Sequence, residues 1–220
     1  RDDSEGRFRM GVDGGRALAA TQVELGGDLA LAYPYMVMAL PRRRSQLELR
    51  SVALRPANRG LLDLLRQMGA TIRIAGRDDE TADIAVQYTA HLRATRVAGE
   101  RAARLLPQLP LVAILATQCT GEFVLRDLQA LRQGPTDRVA VLYSLLKSLG
   151  AHVAEYEQGL VVRGGTPLDG CRLDCSGDPE LAMACGAAGA LAHGETTIAG
   201  IECLDGVYPD FFATVELLSR

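Results

Sequence analysis

Two arginines, Arg132 and Arg138, flank a short polar loop that contains Thr136 and Asp137 and runs into the apolar stretch Val139–Leu149. A guanidinium is a rigid fork that holds a carboxylate or phosphate through paired hydrogen bonds. The first turn of a helix offers an anion its free amide N–H groups. Arg132, Thr136, Asp137 and Arg138 are therefore the candidate site for a small anionic ligand such as phosphate. The competing reading of Arg138 is a surface ion pair with Asp137 or Glu122. Asp28 and Asp178 each follow a glycine and open an apolar stretch, as a carboxylate that caps a helix by accepting from its first amides does. Neither is read as a catalyst. His193, before Gly194 at a helix end, suits the helix dipole and is read as structural. No nucleophile–base set, metal cluster or phosphate-cradling glycine loop emerges, and Gly11, Gly14 and Gly15 are too irregular for a dinucleotide fingerprint. No cofactor and no metal are expected.

Composition narrows the classes. The chain has 220 residues, 48% hydrophobic and 23% charged, with a formal net charge of −3. That balance gives no field for nucleic acid or an anionic membrane, and the run Arg42-Arg43-Arg44 reads as a solvated turn after a helix. Five cysteines, none in a C-x-x-C pair, point to small buried thiols in a reducing, cytoplasmic protein. No apolar run of about 20 residues predicts a membrane span, and no signal peptide is evident. The chain starts at Arg1 rather than Met, which raises the expectation of a piece of a longer protein.

The elements that must position these residues follow one order three times. Gln46–Leu54, Glu122–Leu125 and Thr196–Ile201 read as strands, each followed by a loop and an amphipathic helix: Arg59–Met68, Thr136–Leu149 and Pro209–Leu218. An apolar helix precedes each strand: Leu29–Leu40, a helix starting near Pro110, and Glu180–Ala192. Pro34 is expected to kink or shorten the first of these. Further strands are expected at Phe8–Met10, Ala20–Leu25, Ala70–Ala75, Ile84–Tyr88, Leu92–Val97, Val153–Tyr156, Leu160–Arg163 and Cys171–Cys175, with a charged turn over Arg77–Asp83 and a hairpin turn at Glu157–Gly159. Gly69-Ala70 recurs as Gly150-Ala151, and Gly27-Asp28 as Gly177-Asp178. Units of about 8–88, 89–165 and 166–220 form one pseudo-threefold α/β domain over residues 1–220. Apolar helices rich in small residues, such as Leu181–Ala192, belong in its core.

Five motifs then carry a resemblance. They are Gly27-Asp28 opening a helix, the run Arg59–Ala70, Leu131-Arg132 with Asp137-Arg138, Gly177-Asp178 with Ala182-Met183-Ala184, and Tyr208-Pro209-Asp210-Phe211-Phe212. In this order and spacing, from about Phe8 to Leu218, the chain resembles the C-terminal portion of 5-enolpyruvylshikimate-3-phosphate synthases (3-phosphoshikimate 1-carboxyvinyltransferases). The resemblance implies an inside-out, barrel-like α/β globe of three repeated units, facing a second globe across a cleft. It implies transfer of an enolpyruvyl group from phosphoenolpyruvate to shikimate 3-phosphate, a step of the shikimate pathway to aromatic amino acids. In the related UDP-N-acetylglucosamine enolpyruvyl transferases the reactive cysteine lies in the other globe, so none of these five inherits that role.

The residues depart from that pattern where the chemistry lies. Pro107 and Pro135 stand where the resemblance implies proton-transferring carboxylates. Gly134 and Gly206 replace lysines, and Pro179-Glu180 replaces a His-Arg pair that holds phosphoenolpyruvate. Loss of general acid–base help costs a factor of roughly 10²–10⁴. The expectation is thus a pseudoenzyme with no catalytic residue of its own, acting as a binding, regulatory or structural module. Its partners would be a phosphate- or phosphoenolpyruvate-like anion and a second globe or fused domain. The alternatives are half of a working transferase completed by that globe, and a divergent enzyme of the same fold.

Overall fold

The computed structural model describes residues 11–15, 17, 19–76, 80–133 and 136–219. The first unit runs α1 (Leu29–Ala39), β1 (Gln46–Ala53), a 3-10 turn (Pro56–Asn58), α2 (Gly60–Gln67), β2 (Thr71–Gly76) and β3 (Thr81–Gln87). The second runs β4 (Arg96–Val97), α3 (Gly99–Arg104), a 3-10 turn (Leu106–Gln108), α4 (Leu109–Thr117), β5 (Glu122–Arg126), a 3-10 turn (Gln129–Leu131), α5 (Arg138–Ser148), β6 (His152–Tyr156) and β7 (Gly159–Arg163). The third runs β8 (Arg172–Asp174), α6 (Pro179–Leu191), β9 (Thr197–Ala199), a 3-10 turn (Ile201–Leu204) and α7 (Phe211–Leu218).

Helices α1, α4 and α6 pack on one another at the centre. Every residue of α4, Leu-Pro-Leu-Val-Ala-Ile-Leu-Ala-Thr, is buried, and α6 buries Leu181 through Ala188 without interruption. A helix apolar on all sides has no face to give to water, so it takes the middle. The sheets lie outside: β1-β3-β2, β4-β5-β7-β6 and the pair β8-β9. Residues alternate between half-buried and buried along β3, turning one face inward. The sheets stay separate, so the globe is inside-out without a closed barrel. Each strand that follows a central helix pairs in parallel with the segment before that helix. This pairing is one bridge, Gly27 to Val52, in the first unit, β4–β5 in the second and β8–β9 in the third. Among the described residues no helix is long and apolar enough to cross a membrane.

Several expectations are corrected. Ala20–Leu25 forms no strand: the segment is exposed, Val23 and Leu25 included. Backbone pairing with the sheet comes after it, at Gly27, whose N–H donates to the Ser51 carbonyl at 2.8 Å. Pro34 neither stops nor shortens α1, which continues to Ala39; burial of Tyr33 through Ala39 outweighs the hydrogen bond that the proline removes. β3 begins at Thr81, inside the expected charged turn, because Ala53 and Thr81 already pair. Arg77, Asp78 and Asp79 lie outside the described residues, as do Phe8–Met10. Of Leu92–Val97 only Arg96–Val97 is strand, with one bridge from Arg93 to Thr120.

Candidate functional site

The start of α5 is built by its cap. Asp137, in extended backbone, accepts at 3.0 Å from the amides of both Val139 and Ala140. Thr136, one position earlier in the candidate site, is exposed and lies outside the cap. A single carboxylate oxygen, Asp137 Oδ1, takes both first-turn amides, and the carboxylate's charge complements the helix dipole. Partial burial pushes the Asp137 carboxyl up, but the Ala140 amide and the Arg132 guanidinium outweigh this and hold its pKa below the ordinary carboxylate range.

Arg132 is spent on its surroundings. Its Nη1 donates to Asp137 Oδ2 at 2.9 Å and to Glu155 Oε1 at 2.7 Å. Its Nη2 donates to the Tyr156 carbonyl at 2.8 Å, and its Nε to the Glu157 carbonyl at 3.2 Å. The guanidinium thus ties the loop before α5 to the β6–β7 hairpin. Glu155 and the two hairpin carbonyls had no local sequence signal, since they lie more than a helix away along the chain.

Arg138 reaches the start of α6. Its Nη2 stands 2.8 Å from Asp178 Oδ2 and 3.4 Å from Glu180 Oε2. The expected partners Asp137 and Glu122 are replaced: Asp137 is committed to its cap and to Arg132, and the N-terminus of α6 lies against that of α5. Asp178 also caps α6, accepting at 3.0 Å from Glu180 N and at 3.1 Å from Leu181 N. Burial pushes the Glu180 carboxyl up, and the neighbouring Asp178 pushes it further, over the opposing pull of its own amide and Arg138. Each arginine therefore faces two carboxylates, and each cluster carries a formal charge of −1.

Pro107 is exposed in the 3-10 turn ahead of α4, and Gly206 is exposed before Tyr208. Gly134 and Pro135 lie outside the described residues. Burial pushes the Cys119 and Cys185 thiols up to about 12, so neither is a thiolate nucleophile at neutral pH. Among the described residues no group of three or more His, Cys, Asp or Glu side chains could hold a metal ion.

A family model described as EPSP synthase (3-phosphoshikimate 1-carboxyvinyltransferase) matches residues 2–215. The chain belongs to the EPSP synthase family. Among its relatives, a 3-phosphoshikimate 1-carboxyvinyltransferase of Streptococcus uberis is 36% identical over 95% of this chain and 49% of its own length. One of Pelotomaculum thermopropionicum is 37% identical over 92% of this chain and 48% of its own length. An EPSP synthase structure from Acinetobacter baumannii superposes with a TM-score of 0.84 at 24% identity, covering 93% of this chain and 48% of that one. The enolpyruvyl transferase NikO from Streptomyces tendae superposes at 0.66 with 19% identity, over 85% of this chain and 42% of that one. The chain spans about half the length of the curated relatives it matches.

Proposed function

We propose that residues 1–220 form a single EPSP synthase-like domain that is catalytically inactive on its own and acts as a binding, regulatory or structural module beside a second globe. The family reaction would move an enolpyruvyl group from phosphoenolpyruvate to shikimate 3-phosphate. It needs cations free to grip a phosphate and a carboxylate, and it needs groups that pass protons. The observation that carries the reading is the pairing of Arg138 with Asp178 and Glu180, at 2.8 and 3.4 Å. An incoming anion at Arg138 would meet two carboxylates on the same guanidinium. Arg138 is engaged through Nη2, while its buried Nε has no hydrogen-bond partner among the described residues; Arg132 is occupied on Nε, Nη1 and Nη2. Asp137 then serves the start of α5 rather than a ligand, and neither Pro107 nor Pro135 can pass a proton. Five free thiols suit a reducing, cytoplasmic setting.

A phosphate-release assay on the chain with phosphoenolpyruvate and shikimate 3-phosphate tests this, and no turnover above background is expected. Turnover that disappears in Arg138→Ala would overturn it. The second reading, half of a working transferase, draws on the half-length match to the relatives. It requires the missing half to bring both proton-transfer groups and the phosphoenolpyruvate clamp.

A further inference from the structure

Four of the five cysteines, Cys171, Cys175, Cys185 and Cys203, fall in the third unit. Cys175 directly follows β8 and is fully buried. Its N–H donates to the Ala199 carbonyl at 3.2 Å, and its Sγ donates to the same carbonyl at 3.1 Å. The next residue there, Gly200, turns the chain with φ +80° into the 3-10 turn Ile201–Leu204. A Cβ on Gly200 would stand 3.2 Å from Cys175 Sγ, so this turn closes directly over the sulfur.

Cys203 lies three positions beyond Gly200, and side chains three apart stack on one side of a 3-10 turn. Its thiol accordingly meets that of Cys175 in a side-chain hydrogen bond. The two differ in access: Cys203 is half-buried and Cys175 is sealed. The other thiols are placed worse. Cys171 and Cys175 are four positions apart along extended chain, about 13 Å at roughly 3.3 Å per residue. A disulfide spans at most ~7 Å between Cα atoms. Cys119, after α4 in the second unit, and Cys185, within α6, are both buried away from a reagent.

We propose that Cys175 and Cys203 form a modification site, where a low-molecular-weight disulfide such as oxidised glutathione converts the two thiols into an intramolecular disulfide. The Cys203 thiolate attacks one sulfur of the small disulfide. That S–S bond breaks, one small thiolate leaves, and a mixed disulfide remains on Cys203. The Cys175 thiolate then attacks the Cys203 sulfur and expels the second small thiolate, a step within the fold that needs no outside access. The protein loses two electrons and two protons, and the small disulfide becomes two thiols. In reducing surroundings the exchange runs backwards, so the pair suits a reversible response. Once formed, the bond ties the loop before Asp178, the residue on Arg138, to the turn before α7, with α6 and β9 between its ends. Burial and the neighbouring Cys175 push the Cys203 thiol up to about 11. Few thiolates therefore form at neutral pH, and the first attack is slow.

The reduced chain is incubated with excess oxidised glutathione at mildly alkaline pH, quenched with acid and cut at acidic residues. Glu180 and Glu195 separate Cys175, Cys185 and Cys203 into different fragments. Mass spectrometry should find Cys175 joined to Cys203 in a monomer lighter by two hydrogen atoms, with Cys119 and Cys185 still reduced. The bond should raise the thermal midpoint by several degrees, and dithiothreitol should reverse both changes. Cys203→Ser, at a half-buried position, should leave the reduced chain folded and remove the response to glutathione. The proposal fails if glutathione stays on Cys203 as a mixed disulfide, if the sulfurs join in another pairing or between chains, or if all five thiols remain reduced. It also fails if Cys203→Ser shows the same rise in midpoint.

Discussion

Arg138 holds Asp178 and Glu180 on one guanidinium, and their unequal environments set a pH dependence. Glu180 has a folded pKa raised above its unfolded value of 4.5. Such a group favours the folded state only while protonated, and its contribution is lost as pH rises from 4.5 through the folded pKa. Above that window the ionised glutamate costs stability, reduced by solvent because the side chain is 40% exposed. Glu180→Gln should therefore raise the thermal midpoint at pH 7, with the gain vanishing as pH falls towards 4.5; an equal gain at both pH values would refute the assignment. At this scale the sequence was legible where interactions are local. Asp28 and Asp178 cap their helices as expected, because a cap reaches amides only two or three positions ahead. It was illegible for Arg138, whose partners lie forty positions on and meet it only once α5 and α6 dock.

The central helix α6 works as an element because it is thin. A Cβ on Gly186 would lie 2.6 Å from Phe211 Cε1, and Phe211 is fully buried. Phe211 in turn stacks against Tyr35, Tyr208 and Phe212, with ring centroids 5.0–5.8 Å away. Gly186→Ala should destabilise the fold by about 1–3 kcal/mol through overpacking, although alanine favours an isolated helix over glycine by ~1 kcal/mol. Urea unfolding checks the sign, and a stabilised variant would show that the helix has room there. The all-apolar, small-residue run of α6 made it readable as a core helix from sequence, and α4 was readable as an apolar helix starting near Pro110. Ala20–Leu25 shows the limit of such reading: its alternation has the period of a strand, but a strand also needs an edge to pair with, and that is a tertiary property. Pro34 shows the converse, where burial on every side keeps a helix going through a residue that would break an exposed one.

Across the whole molecule, the threefold repeat explains both what the domain has and what it leaves open. Three buried helices share a centre, and the two larger sheets each end in a hairpin, whereas β9 pairs with β8 alone among the described residues. The repeat itself was legible through Gly69-Ala70 and Gly150-Ala151, because left-handed glycines end α2 and α5 alike. The candidate site was legible in part: Pro107, Gly134, Pro135, Glu180 and Gly206 are read directly as residue types, whereas the neutralisation of Arg132 and Arg138 by paired carboxylates appears only in three dimensions. That neutralisation is the central claim, and calorimetric titration of the chain with phosphoenolpyruvate at low salt and pH 7 addresses it directly. No saturable heat is expected, from the chain or from Arg138→Ala. Saturable binding that Arg138→Ala abolishes would mean that Arg138 leaves its two carboxylates for a ligand, and the domain would have to be read as a working anion site.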